Sequence, residues 1–169
     1  WSQLATILNT RLSLPTICLD LRNHGLSPRL PSMSWDEAVC DIIDTVPVPI
    51  EQANVIGHSM GGKVAMELAM NQKCRTVTVV DIAPKPYPNV DKMLALCMIM
   101  KAANQHLFTE FKLVQEFMMR DIENLPIVQF LMTNLKRNTN RQLQFDLPLD
   151  LFMRFLQSES GRPFPCHPN

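Results

Sequence analysis

The 169-residue sequence lacks a net charge: 16 Lys and Arg balance 16 Asp and Glu. Without a basic excess there is no electrostatic footprint for nucleic acid or for an anionic membrane surface. Long apolar runs are missing too. The longest, around residues 93–100, is far short of the roughly 20 residues that cross a bilayer, so no transmembrane segment is expected. The five cysteines (Cys18, Cys40, Cys74, Cys97, Cys166) are odd in number, scattered, and form no CxxC pair. That pattern excludes a zinc ribbon and a disulfide framework and favours a reducing, intracellular compartment. No metal-ligand cluster is visible, so neither a metal nor another cofactor is expected.

What is present is a chain able to fold. Apolar residues make up 46% of it, enough for one sizeable core and too many for a disordered segment. It opens on Trp1 in what reads as mid-helix, with no signal peptide or basic presequence. It closes on the Pro-rich "SESGRPFPCHPN". The expectation from both ends is of a longer protein that has been truncated.

Residues 1–12 read as a helix with Trp1, Leu4, Ala5 and Leu8 on one face. "PTICLDL", residues 15–21, is short, β-branched and nearly all apolar, the pattern of a strand buried on both faces. "RNHGLSPRLPSM" is punctuated by Gly25, Pro28 and Pro31 as a loop. Ser34 and Glu37 have the spacing of a capping box and start a helix whose apolar face is Ala38, Ile42 and Val46. "ANVIGH" reads as a second buried strand, residues 60–70 as a helix, and residues 76–84 as a third strand. Strands alternating with helices imply right-handed crossovers and a mainly parallel sheet with helices on both faces, so the fold class is α/β. Ligands in such a sheet bind at the carboxyl ends of the strands, the edge on which His24, Ser59 and Asp81 should lie.

Residues 89–135 show no strand pattern. Three helical stripes run through them: Met93, Leu96, Met100 and Ala103; Phe108, Phe111, Val114 and Met118; Ile127, Phe130, Leu131 and Leu135. Most of these residues fit plain core. A cap whose underside lines an apolar, acyl-accepting pocket is the functional alternative. "NTNRQLQFDLP" is ambiguous, and residues 150–157 read as one more helix. The expected domains are a partial core over residues 1–88, a helical cap over 89–147, and the start of a C-terminal core segment over 148–169.

Gly57-His58-Ser59-Met60-Gly61 satisfies G-x-S-x-G, between the apolar "NVI" and the helical "KVAMELAM". A nucleophilic serine at a sharp strand-to-helix turn needs small neighbours two before and two after it, because the backbone closes tightly there. The turn also puts Ser59 at a helix N-terminus, where free amides stabilise negative charge. The Met60 N–H is one expected oxyanion donor. Gly62 suits close packing of the helix start. His58 reads as a packing or hydrogen-bonding residue of the elbow rather than the base. A phosphate-binding turn over residues 57–62 is disfavoured, since G-x-G-x-x-G, a correctly spaced P-loop lysine and an acidic ribose partner are all missing.

With "DLRNHGLSP", "MSWDEAVCDI", "VIGHSMGGKVAMELA", "VVDIAP" and "FLMTNL", the chain resembles the α/β-hydrolase superfamily. Within it, the similarity is to the α/β-hydrolase domain-containing protein 11 group of mitochondrial and bacterial esterases. The resemblance implies a serine-dependent acyl or lipid ester hydrolase, a small-molecule ester substrate, a mitochondrial location, and Ser59 as nucleophile. It leaves two acids in competition. Asp81 follows a strand, and Asp150 matches a later aspartate of the mitochondrial members. The "HG" loop that supplies the second oxyanion donor and the family's histidine base have no counterpart. His167 has the right chain order but ends the chain, His106 lies in the cap, and His24 sits in a loop that shapes the site floor. Without a base a serine is a poor nucleophile. The chain alone is therefore expected to be nearly inactive, and a non-catalytic module that binds an apolar ligand or a protein is the alternative. The oligomeric state is left open.

Overall fold

A computed structural model describes residues 1–71, 74–87, 89–159 and 161–162. They form two compact units, one of Trp1–Lys85 and one of Pro86–Arg162.

The first unit begins with α1 (Ser2–Leu12), which forms where the apolar spacing requires but buries none of its residues. α2 (Trp35–Thr45) starts at Ser34, whose hydroxyl accepts from the Glu37 N–H at 3.2 Å. The Glu37 carboxylate is itself engaged by the Ser32 hydroxyl and by Arg22. A short 3-10 turn (Ile50–Gln52) leads into β1 (Asn54–His58), then α3 (Met60–Asn71) and β2 (Thr76–Val80). β1 and β2 pair in parallel, Asn54 opposite Thr76 and His58 opposite Val80. α3 packs on both strands and α2 packs on α3. Trp35, Ala38, Val39, Val64, Ala65 and Leu68 are buried here.

Three strand expectations change. Residues 15–21 form no strand, and Ile17 remains 52% exposed. An extended segment is held in a sheet only by a hydrogen-bonded neighbour, and among the described residues this one has none. β1 and β2 do form, but Ile56, Val77 and Val80 stay about 40% exposed, so this sheet is not buried on both faces. β2 also ends at Val80, short of the expected residue 84.

The second unit contains α4 (Val90–Gln105), α5 (Phe111–Met118), α6 (Leu125–Met132), an antiparallel hairpin of β3 (Leu135–Arg137) and β4 (Leu143–Phe145), and α7 (Leu149–Glu159). Asn124 caps α6 by accepting from the Ile127 N–H at 3.1 Å. The hairpin occupies the ambiguous polar stretch, and Asn104 of α4 borders it: its side chain accepts from Phe145 N–H at 2.7 Å and donates to Phe145 O at 3.3 Å. Met100, Ala103, Val114, Met118 and Leu131 are core, as their stripes require. Phe111, Ile127 and Phe130 of the same stripes are exposed. Each fully buried apolar side chain contributes about 1.5–3 kcal/mol.

Candidate active site

Ser59 is the single residue between β1 and α3. Its φ of 50° lies in the left-handed region, unusual for a residue other than glycine and characteristic of a turn under local strain. Its N–H donates to Val80 O at 3.0 Å, which ties the turn to the end of β2, and its own carbonyl accepts from the Lys63 N–H at 3.1 Å. Met60 opens α3, so its amide belongs to the first turn, whose N–H groups have no acceptor within the helix.

The glycines around the serine have unequal roles. A Cβ on Gly57 would sit 2.2 Å from Gly61 O, and one on Gly62 would sit 2.6 Å from Cγ2 of Ile82. Gly61 has open space where a Cβ would go. The tight closure expected on both sides of Ser59 therefore falls on Gly57 and Gly62. Gly61 contributes its backbone to that closure.

Asp81 follows β2 as Ser59 follows β1, and it shares the left-handed conformation with a φ of 57°. His58 and Val80 are register partners, so the two strained residues leave adjacent parallel strands side by side. The Asp81 carboxylate is 84% exposed and lies 3.7 Å from Nε2 of the half-exposed His58. At that separation and exposure the pair is worth little energy, and the carboxylate remains open to another donor. His58 turns towards the carboxylate, a contact that its position beside the serine did not signal.

The "RNHG" loop is held by bonds to α2 and within the loop rather than by a strand. Arg22 makes two hydrogen bonds to Asp41, at 2.6 and 2.8 Å, and an ion pair to Glu37 at 2.9 Å. The hydrogen bond to Asp41 is the main reason its pKa is raised. The fully buried Asn23 accepts from Leu30 N–H at 2.7 Å and donates to Ser32 O. His24 Nδ1 lies 2.9 Å from Arg22 O, and burial pushes its pKa down.

Two further candidates, Asp150 and His106, belong to the second unit. Asp150 sits in the first turn of α7 and pairs with Lys101 at 2.5 Å. His106 stacks on Phe108 at 5.3 Å and packs on Phe117 at 4.6 Å. His167 lies outside the described residues. Among the described residues no group of three His, Cys, Asp or Glu could hold a metal ion, and no helix is long and apolar enough to cross a membrane.

A strand, a strained serine and a helix in sequence are the turn arrangement found in α/β hydrolases. Residues 1–165 match the alpha/beta hydrolase family, and the chain belongs to it. It is 31% identical to esterase YbfF of Escherichia coli over 136 residues, which cover 79% of this chain and 52% of that protein. It is 29% identical to the sn-1-specific diacylglycerol lipase ABHD11 of Danio rerio, over 95% of this chain and 52% of the lipase. Among solved structures, a marine microorganism esterase superposes with a TM-score of 0.74 at 28% identity, over 88% of this chain and 60% of the esterase. The chain thus spans about half the length of these relatives.

Proposed function

We propose that the whole protein is a serine ester hydrolase. Ser59 Oγ attacks the acyl carbonyl carbon, the alcohol leaves with a proton, and water then releases the acid and restores the hydroxyl. The Met60 N–H, with its helix N-terminus, stabilises the oxyanion of each tetrahedral intermediate. Asp81 is the acid that orients the base. The observation that carries this reading is the side-by-side exit of Ser59 and Asp81 from paired strands, both at positive φ.

The base is assigned to a histidine other than the three described. His24 faces a backbone carbonyl and His106 packs on phenylalanines. His58 lies 3.7 Å from Asp81, but among the described residues no hydrogen bond joins its ring to the Ser59 hydroxyl, the second contact a base needs. Asp150, the other candidate acid, is paired to a lysine and reads as a helix-capping charge. An apolar acyl group in the substrate is part of this proposal, on the likeness to a diacylglycerol lipase. A mitochondrial location, implied by the resemblance, belongs to the same proposal and is checked by fractionation.

A fluorophosphonate probe tests the central claim. The whole protein is expected to take the label at Ser59, located by peptide mass spectrometry, and Ser59→Ala to take none. Label on another residue would overturn the assignment of Ser59, and none on a folded protein would favour a non-catalytic binding module.

A further inference from the structure

Lys63 is a charged side chain with 1% exposure, in the first turn of α3. An ammonium is retained in such a place only where its donors are satisfied. Its Nζ donates to Ala83 O at 2.9 Å and also to Lys85 O. Both carbonyls lie in the loop that leaves β2 through Asp81. The backbone of the same residue is tied in the other direction, to Ser59 O. Gly62 brings the helix start against Ile82 of that loop, where any Cβ would intrude. One residue therefore grips both the turn that carries Ser59 and the loop that follows Asp81.

The geometry points to Lys63 as a positioning residue that fixes Asp81 relative to Ser59. The inference rests on the reading that these two residues act together. Asp81 holds a left-handed conformation that the surrounding structure has to maintain. The carbonyls held by Lys63 lie two and four residues beyond it. A side chain needed only to fill the interior would not require a long stem and an N–H donor for each of two carbonyls.

Lys63→Met keeps most of the unbranched stem and removes the donors. In the chain itself, the imidazole ¹⁵N signals of His58 report its Asp81 neighbour. Asp81→Asn should shift them, and Lys63→Met should shift them in the same direction while the thermal transition is kept. In the whole protein, Lys63→Met should slow Ser59 acylation by the fluorophosphonate about 10- to 100-fold at saturation, with little change in the half-saturating concentration. The loss should nearly vanish in an Asp81→Asn background, since residues acting through one another are non-additive. Lys63→Gln keeps an amide N–H donor group on a shorter stem and should recover part of the rate; it also stands in for the methionine variant if that one fails to fold. Unmoved His58 signals in Lys63→Met, or an equal loss in both backgrounds, would overturn the inference. Failure of both variants to fold would make Lys63 a requirement of the fold and overturn it too. If Ser59 takes no label in the wild type, the hydrolase reading fails, and the His58 signals still decide whether Lys63 places Asp81.

Discussion

The helical unit closes on eleven buried side chains from Cys97 to Leu149, every one of them apolar. The unit that carries Ser59 instead contains all four buried polar or charged residues among the described ones: Arg22, Asn23, Lys63 and Glu67. Close packing of apolar groups gives stability without direction, because methyl and methylene contacts are individually weak and interchangeable. Hydrogen-bonded polar groups have fixed angles and lengths and tolerate few arrangements, so they hold a loop in one place. The difference fits a division of labour in which the first unit spends its interior on placing particular atoms and the second on cohesion.

The largest test of that contrast lies at the two aspartates. Asp81→Asn in the whole protein should lower the esterase rate about 10³- to 10⁴-fold, as loss of the orienting acid does in other triads. Asp150→Asn should leave the rate within about twofold, since it removes an exposed ion pair worth at most about 1 kcal/mol. A reversed order, measured with a chromogenic ester, would move the acid into the helical unit. Next comes the close approach at the turn. Gly57→Ala forces a Cβ to within 2.2 Å of a backbone oxygen and should abolish folding of the first unit or its Ser59 geometry. Gly61→Ala has open space and should change stability by no more than about 1 kcal/mol in thermal unfolding.

Core substitutions sharpen the comparison further. Met118→Ala, at a fully buried apolar site, should cost about 2–5 kcal/mol in denaturant unfolding through the cavity it leaves. Smaller again is the response of the polar unit to acid. Burial lowers the pKa of His24, so the unfolded chain binds the proton more tightly and stability falls as the pH drops below the ordinary 6.5. Glu37 is held below its ordinary 4.5, first by the Ser32 hydroxyl and also by Arg22. Its contribution is present above 4.5 and is lost as the pH falls through the lower folded value. Protection factors over residues 22–45, which allow for the slower intrinsic exchange in acid, should therefore fall in two stages on acidification, and Glu37→Gln should remove the lower one.

Much of this arrangement is legible in the sequence where structure is set locally. The Ser34 cap, the helices and the strand–turn–helix around Ser59 each depend on residues within a few positions of one another. Residues 15–21 carry a strong strand pattern and form no strand, because apolarity identifies a segment that wants burial but does not supply its hydrogen-bonding neighbour. The β3–β4 hairpin was ambiguous for the opposite reason: strands of three residues are too short to show an alternation. Within the candidate site, Ser59 and Asp81 follow from pattern and strand ends. The grip of Lys63 and the turn of His58 towards Asp81 do not. A lysine one turn into a helix looks like any surface cation until the carbonyls 20 and 22 residues later are folded against it.

Asn104 has a consequence of its own for the behaviour of the chain in crowded solution. Its amide offers Phe145 one acceptor and one donor, the same pair of groups that a further strand would present. The outer rim of β4 is thereby occupied at that residue by a side chain, where it would otherwise invite a stray polypeptide to extend the ladder. A single asparagine acts as a counterfeit strand of one residue, and the two-stranded ribbon is protected from growth at Phe145, one of its buried positions.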